Sequence, residues 1–149
     1  MPSEIKIDNS YIETMIWNKS IILKNYNYDA IIGVARGGMI PATRLAYLLN
    51  KPLYCCSIKS YTDREQDAIE LLQFPLITKS LKNVLIVDDI NDTGNTFQYI
   101  DNMFKKYVSG CKYDFLSLFK NPGTLFPNAD YCEESPSKTW LVFPWESTL

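Results

Sequence analysis

The sequence contains no histidine among its 149 residues. This absence excludes Ser-His and Cys-His nucleophiles, imidazole general bases and histidine-ligated zinc sites within the chain. The four cysteines show no Cys-x-x-Cys spacing, and we expect them to be reduced thiols; they are Cys55, Cys56, Cys111 and Cys132. A metal ion must then be held by oxygen ligands, which favours magnesium.

Long apolar runs and blocks of basic residues are also missing. No run approaches the roughly 20 apolar residues that a bilayer span needs, and the first ten residues lack the layout of a signal peptide. The net charge is −2, and no basic block interleaves with aromatic residues, so nucleic acid is not an expected partner. These absences predict a cytoplasmic protein with no membrane partner.

Strands alternate with helices along the chain, whose length and 46% hydrophobic content suit one domain. Apolar runs predict strands, and apolar residues at helical spacing predict helices. The strands are 29–38, which ends in a Gly pair, 52–58, 83–89 and 112–119, and the helices are 9–25, 39–50 and 96–107. This alternation predicts an α/β fold with a mostly parallel twisted sheet flanked by helices. Its ligand is expected at the carboxyl ends of the strands.

The stretch "VLIVDDINDTGNT" (84–96) places Asp88 and Asp89 at the end of the most hydrophobic strand. Two adjacent carboxylates are costly there unless a cation, a hydroxyl-rich ligand or backbone donors meet them. Gly94 and the start of a helix supply backbone N–H groups for a phosphate, and no P-loop lysine is present. The combination predicts a ribose 5-phosphate site. The alternative is a solvated turn whose aspartates cap the helix, although a cap needs only one carboxylate.

A second loop, "VARGG" (34–38), places Arg36 beside Gly37 and Gly38 at another strand end. Arginine can bind a phosphate through two hydrogen bonds, and glycines let the backbone approach it closely. The alternative interpretation is a tight turn that carries a surface arginine.

Together these motifs resemble those of type I phosphoribosyltransferases. The first stretch is similar to that family's signature for 5-phosphoribosyl 1-diphosphate (PRPP), and "ARGG" is similar to its pyrophosphate loop. Three further stretches resemble the bacterial xanthine-guanine members: "KSY" (59–61), "LFKNPG" (118–123) and "DYCEESPSKTWLVFPWE" (130–146). The resemblance implies one domain over 1–149, with a core at about 27–120 and a hood formed by about 121–149 with the N-terminal segment.

The resemblance also implies the residues of the site. Asp88 and Asp89 would meet the ribose hydroxyls and Mg²⁺-bound water, and Asp92 would accept a proton near purine N7. Lys120 would donate to the 6-oxo group, Trp140 would stack on the base, and the Leu141 backbone would meet the 2-substituent. Catalytic roles fall to Asp92, Asp88, Asp89 and Arg36. PRPP binding falls to Arg36, Gly37, Gly38, Ser60, Tyr61, Asp88, Asp89, Asp92, Thr93, Gly94, Asn95 and Thr96. A cis peptide bond is implied between Ala35 and Arg36.

The implied reaction transfers the phosphoribosyl group of PRPP to N9 of a 6-oxopurine, in a homo-oligomer that is a dimer or a tetramer. Two alternatives remain: a phosphoribosyltransferase for another base, and a PRPP-sensing regulator without turnover. Asn95 stands where the family commonly has a small residue, and Val142 stands where the bacterial xanthine-guanine enzyme has an acid. The segment from Lys120 to Tyr131 is also one residue longer. Asn95 would crowd the phosphate turn slightly, whereas Val142 and the longer segment leave the choice among guanine, xanthine and hypoxanthine open.

Overall fold

The computed structural model describes residues 3–61 and 68–149, apart from the side chain of Tyr61. The predicted contact of that side chain with PRPP therefore lies outside the described residues. The α-helices are α1 (Asn9–Leu23), α2 (Met39–Leu49) and α3 (Asn95–Tyr107), with single 3-10 turns at Lys24–Tyr26 and Pro144–Glu146. The strands are β1 (Ser3–Lys6), β2 (Ala30–Ala35), β3 (Leu53–Tyr61), β4 (Ala68–Gln73), β5 (Asn83–Asn91), β6 (Lys112–Lys120), β7 (Asp130–Glu134) and β8 (Thr139–Val142).

Six strands form the main sheet in the order β4-β3-β2-β5-β6-β7. Every neighbouring pair is parallel except β3 and β4, which are antiparallel. The predicted α/β fold with a mostly parallel sheet is confirmed. Among the described residues, no helix is both long enough and apolar enough to cross a bilayer.

The central strands are buried on both faces, which explains their continuous apolar runs. On one face, Leu85 and Val87 of β5 pack in a cluster with residues of α1 and α2. On the other face, Val84 and Ile86 pack in a cluster that includes Phe104 of α3. Helices therefore cover both faces of the sheet.

The C-terminal section is more regular than its sequence indicates. Residues 121–149, assigned as a whole to the hood, include β7, which extends the main sheet beside β6. This strand is short, polar and largely exposed, so it carries no apolar alternation that would reveal it. Strand β8 instead pairs in parallel with β1 and joins the chain's two ends. Leu141 and Phe143 then pack into the cluster on the α1 and α2 face.

Strands β2 and β5 lie side by side at the point where the connections of the sheet diverge. From β2 the chain passes through α2 to β3 on one side, and from β5 it passes through α3 to β6 on the other. Ligands of parallel sheets bind at such a switch point, outside the carboxyl ends of the strands. The loops 36–38 and 92–94 both follow these ends.

The segment 121–126 packs against the turn between β5 and α3 and forms hydrogen bonds with it. Leu125 N donates to Thr93 O at 2.9 Å. The side chain of Asn91, only 3% exposed, donates from Nδ2 to Phe126 O at 2.9 Å and accepts from Thr124 Oγ1 at 2.8 Å. The bond between Asn91 and Thr124 is buried, and together the three bonds fix the position of the turn relative to the sheet.

A substitution at Gly94 tests the contact between the segment 121–126 and this turn. Gly94 has φ +92°, and a Cβ there would lie 2.6 Å from Phe126 N and 2.8 Å from Thr124 Oγ1. Gly110 is a matched control, since it has φ +73° and a Cβ there would meet nothing within 4 Å. Gly110→Ala should lower the free energy of unfolding by about 1 kcal/mol through backbone strain alone. Gly94→Ala should cost about 1–3 kcal/mol more because the segment must move.

Urea denaturation monitored by circular dichroism measures both values. Equal losses in the two variants would show that the segment 121–126 does not press against the turn.

Candidate active site at the carboxyl ends of β2 and β5

The paired carboxylates lie at the end of β5 and are partly buried. Asp88 Oδ1 accepts from Asp89 N at 2.8 Å, and Asp89 Oδ1 accepts from Ile90 N at 2.8 Å. Burial, and then the neighbouring charge of Asp89, raises the pKa of Asp88 well above its usual range. Among the described residues, neither carboxylate forms an ion pair. Within that part of the chain, the pair therefore has backbone donors but no cationic side chain as an ion-pair partner.

This donor set fits Mg²⁺. Within residues 3–61 and 68–149, no group of three or more Asp, Glu or Cys side chains is arranged to hold a metal ion. Mg²⁺ is commonly bound by one or two carboxylates, with the other positions filled by water and by phosphate oxygens of the substrate. Asp88 and Asp89 could supply the protein's share of such a site, and a phosphorylated ligand would complete it.

The turn after these carboxylates encloses a cavity of about 210 Å³, here called the phosphate cavity. Thr93, Gly94 and Thr96 line it together with the two carboxylates. The N-cap of α3 is Gly94, which has no side chain to occupy the first helical turn. Helix N-termini present unpaired N–H groups and a partial positive charge, so this cavity suits a phosphate.

The loop after β2 lies directly against the carboxylates. A Cβ at Gly37 would overlap Asp89 Oδ2, and one at Gly38 would lie 2.5 Å from Val87 O. The peptide bond between Ala35 and Arg36 is cis, as the resemblance implied. The Arg36 side chain is exposed and forms no ion pair within the described part of the chain. Its guanidinium can therefore reach an anion above the two loops.

A second cavity of about 380 Å³ adjoins the first and is here called the base cavity. Trp140 and Leu141 line it, and Trp140 is 59% exposed rather than part of the core. Asp92 and Ile90 line both cavities. Asp92 therefore stands at the junction between a polar phosphate site and a site with an aromatic wall.

Six of the predicted site residues in the described part of the chain line neither cavity. Arg36, Gly37 and Gly38 belong to the loop after β2, and Asn95 is the first residue of α3. The other two are Lys120 and Ser60. Lys120 Nζ donates to Pro127 O at 3.2 Å and lies 4.9 Å from the centre of the Tyr131 ring. Ser60 lies in β3, paired with Ile69 of β4. Their roles in purine and PRPP binding stay predictions. Because Lys120 does not line the base cavity, its side chain would have to turn toward that cavity to meet a base.

The sequence analysis missed several polar residues of the site. Asn121 Nδ2 donates to Asp92 Oδ1 at 2.8 Å. Ser135 and Glu146 line the base cavity. Burial raises the pKa of Glu146, and the charge of Asp89 raises it further, while a backbone hydrogen bond at Phe143 lowers it. Each of these residues is an isolated polar residue in a segment without hydrophobic periodicity, so no sequence motif marks it. The one available signal for Asn121 was its place directly after Lys120.

Comparison with known proteins agrees with this geometry. The family model described as "Phosphoribosyl transferase domain" matches residues 3–148. A xanthine-guanine phosphoribosyltransferase of Idiomarina loihiensis is 30% identical over 124 residues, which cover 82% of this chain and 73% of that protein.

Solved structures show the same relationship. A purine phosphoribosyltransferase from Pyrococcus horikoshii is 30% identical and superposes with a TM-score of 0.86 over 99% of this chain and 96% of that one. A xanthine-guanine-hypoxanthine phosphoribosyltransferase from Helicobacter pylori has a TM-score of 0.86 over 96% of this chain and 94% of that one; at 22% identity it shows the fold alone. Since the family model spans nearly the whole chain, and both loops of the site lie within it, this chain belongs to the phosphoribosyltransferase family.

Proposed function

We propose that this protein transfers the 5-phosphoribosyl group of PRPP to N9 of a 6-oxopurine and releases a nucleoside 5-monophosphate and pyrophosphate. The main support for this function is the pair of adjoining cavities that share Asp92. One cavity suits a sugar phosphate, and the other suits a flat aromatic base. The relatives named for xanthine-guanine and purine transfer support the choice of purines as acceptors.

The residues of the two loops divide the binding of PRPP. The turn from Asp92 to Thr96 holds the 5-phosphate, while Arg36 and the backbone at Gly37 and Gly38 hold the pyrophosphate. Asp88 and Asp89 accept hydrogen bonds from the ribose hydroxyls. The same two carboxylates would hold Mg²⁺, which would supply positive charge for the pyrophosphate leaving group. The fixed spacing of the two loops then holds the ribose between two anchored phosphates.

The chemical step needs no protein nucleophile. Displacement at C1 by purine N9 passes through a transition state with positive charge on the ribose, so the protein contributes positioning, charge stabilisation and exclusion of water. Asp92, at the junction of the cavities, accepts the proton that the purine loses. This route agrees with a chain that contains no histidine.

The base cavity supplies recognition of the purine. The exposed ring of Trp140 stacks on the base, and the backbone of Leu141 meets the 2-substituent. The Lys120 ammonium, which donates to Pro127 O at 3.2 Å, has further N–H donors and turns toward the base to donate to its 6-oxo group. An amino group at that position would present donors to a donor, so adenine is a poor acceptor.

Location and assembly complete the proposal: a cytoplasmic protein that forms a homo-oligomer, either a dimer or a tetramer. Support for assembly comes from large apolar side chains exposed on the outer helices. Trp17 of α1 is 52% exposed, and Tyr47 of α2 is 78% exposed. Contact between subunits would remove such apolar surface from water.

Nucleotide formation is the direct test of the activity. The protein is incubated with PRPP and Mg²⁺, and guanine, xanthine, hypoxanthine, adenine, uracil and orotate are offered separately. We expect product from one or more of the three 6-oxopurines and none from the other bases. If product forms only with uracil or orotate, the acceptor is a pyrimidine and not a 6-oxopurine. Binding of PRPP without product from any base would indicate a sensor instead of an enzyme.

Two variants test the division of labour between the cavities. Asp88→Asn combined with Asp89→Asn should raise the KM for PRPP about 10- to 100-fold with every base, because charged hydrogen bonds and the metal site are lost. Lys120→Ala should lower kcat/KM for the oxopurine about 10- to 100-fold and leave the KM for PRPP within about twofold.

Lys112→Ala is the matched control, because Lys112 is exposed at the opposite end of the same strand, β6. It should leave both constants unchanged. An equal rise of the KM for PRPP in the Asp pair and in Lys120→Ala would contradict the separate roles.

A further inference from the structure

Asn121 is held more firmly than a loop residue usually is. It directly follows β6, and its backbone N donates to Asn91 O at 2.9 Å. Its backbone carbonyl accepts from Thr124 N at 3.0 Å. Its side-chain Oδ1 accepts from Gly123 N at 3.0 Å. Backbone and side chain are thus fixed together against the end of β5.

These contacts determine which way the amide of Asn121 points. A backbone N–H can only donate, so the side-chain oxygen must face Gly123. The NH₂ group is then left facing Asp92, where it donates to Oδ1 at 2.8 Å. An amide turned the other way would place two donors together at Gly123 and two acceptors together at Asp92. The orientation is therefore the one that the hydrogen-bond network requires.

Asp92 needs such support because its surroundings do not restrain it. Its side chain is exposed, and it lines both the phosphate cavity and the base cavity. Within the described residues, its Oδ1 accepts only from Asn121, and its Oδ2 accepts no hydrogen bond. A carboxylate held by one oxygen keeps the other free for a ligand in a defined direction.

We propose that Asn121 is a positioning residue of the phosphoribosyl transfer, which holds Asp92 so that its free oxygen faces the base. This inference rests on the proposed function and extends it. Reaction rates depend steeply on such orientation, and a displacement of about 1 Å can cost about 100-fold. Asn121 also lines the base cavity. In this scheme, however, it touches neither reacting atom and acts through Asp92.

A purely structural role is the alternative, since the bond from Gly123 N to Asn121 Oδ1 also shapes the loop. Asn121→Asp separates the two roles. It retains an oxygen for Gly123 N but replaces the donor to Asp92 with an acceptor. Asn121→Ala removes both bonds. Asn128→Asp is the matched control, because it adds the same charge at an exposed asparagine of the same loop between β6 and β7.

The experiment measures kcat and the KM for PRPP with labelled oxopurine for the wild type and for Asn121→Asp, Asn121→Ala, Asn128→Asp, Asp92→Ala and the double variant Asp92→Ala/Asn121→Asp. Thermal unfolding is recorded for each. We expect Asn121→Asp to lower kcat about 10- to 100-fold, with the KM for PRPP and the unfolding temperature nearly unchanged. Asn121→Ala should lower kcat similarly, and Asn128→Asp should match the wild type.

The double variant decides the mechanism. If Asn121 acts through Asp92, adding Asn121→Asp to Asp92→Ala should lower kcat by less than about threefold further. An undiminished loss in the double variant, or wild-type kcat in Asn121→Asp, would overturn the positioning role while leaving the proposed function intact. Full activity of Asp92→Ala would overturn it as well. Absence of oxopurine turnover in the wild type would instead remove the proposed function itself, and the positioning role with it.

Discussion

The close contact between the loops after β2 and β5 is the constraint on which the rest of the site depends. A side chain at Gly37 would overlap Asp89 Oδ2, and one at Gly38 would press on Val87 O at 2.5 Å. Parallel pairing of β2 with β5 brings these ends together, since Gly33 pairs with Val87. The glycines then let the arginine loop and the carboxylates share one crevice. A phosphate on each side of a ribose requires this proximity.

The segment 121–126, which follows β6, contacts residues at both the base cavity and the phosphate cavity. The buried side chain of Asn91 forms hydrogen bonds with Thr124 and Phe126. These bonds attach the turn between β5 and α3 to the segment 121–126. Asn121, in the same segment, bonds to Asp92 at the junction. The segment 121–126 therefore holds both the turn between β5 and α3 and the carboxylate of Asp92. This arrangement explains why an irregular segment is held by so many hydrogen bonds.

The sequence predicted the parts of this structure that produce local patterns. Buried parallel strands such as β5 are continuous apolar runs, and the glycines of both loops mark close backbone approach, so the fold and the two loops could be found. Strand β7 is polar and exposed, and no local pattern reveals its pairing with β6. The bond from Asn121 to Asp92 joins residues 29 apart in sequence and depends on the meeting of two strand ends. The engagement of Lys120 with Pro127 O and the Tyr131 ring likewise follows from tertiary packing.

We propose that the crevice between the two loops binds PRPP together with Mg²⁺. Isothermal titration calorimetry of PRPP into the wild-type protein, once with Mg²⁺ and once with a chelator, tests it most directly. Two carboxylates with no ion-pair partner among the described residues predict binding that is at least about tenfold tighter with Mg²⁺. Absence of PRPP binding under both conditions, or equal affinity with and without the metal, would contradict this assignment of the site.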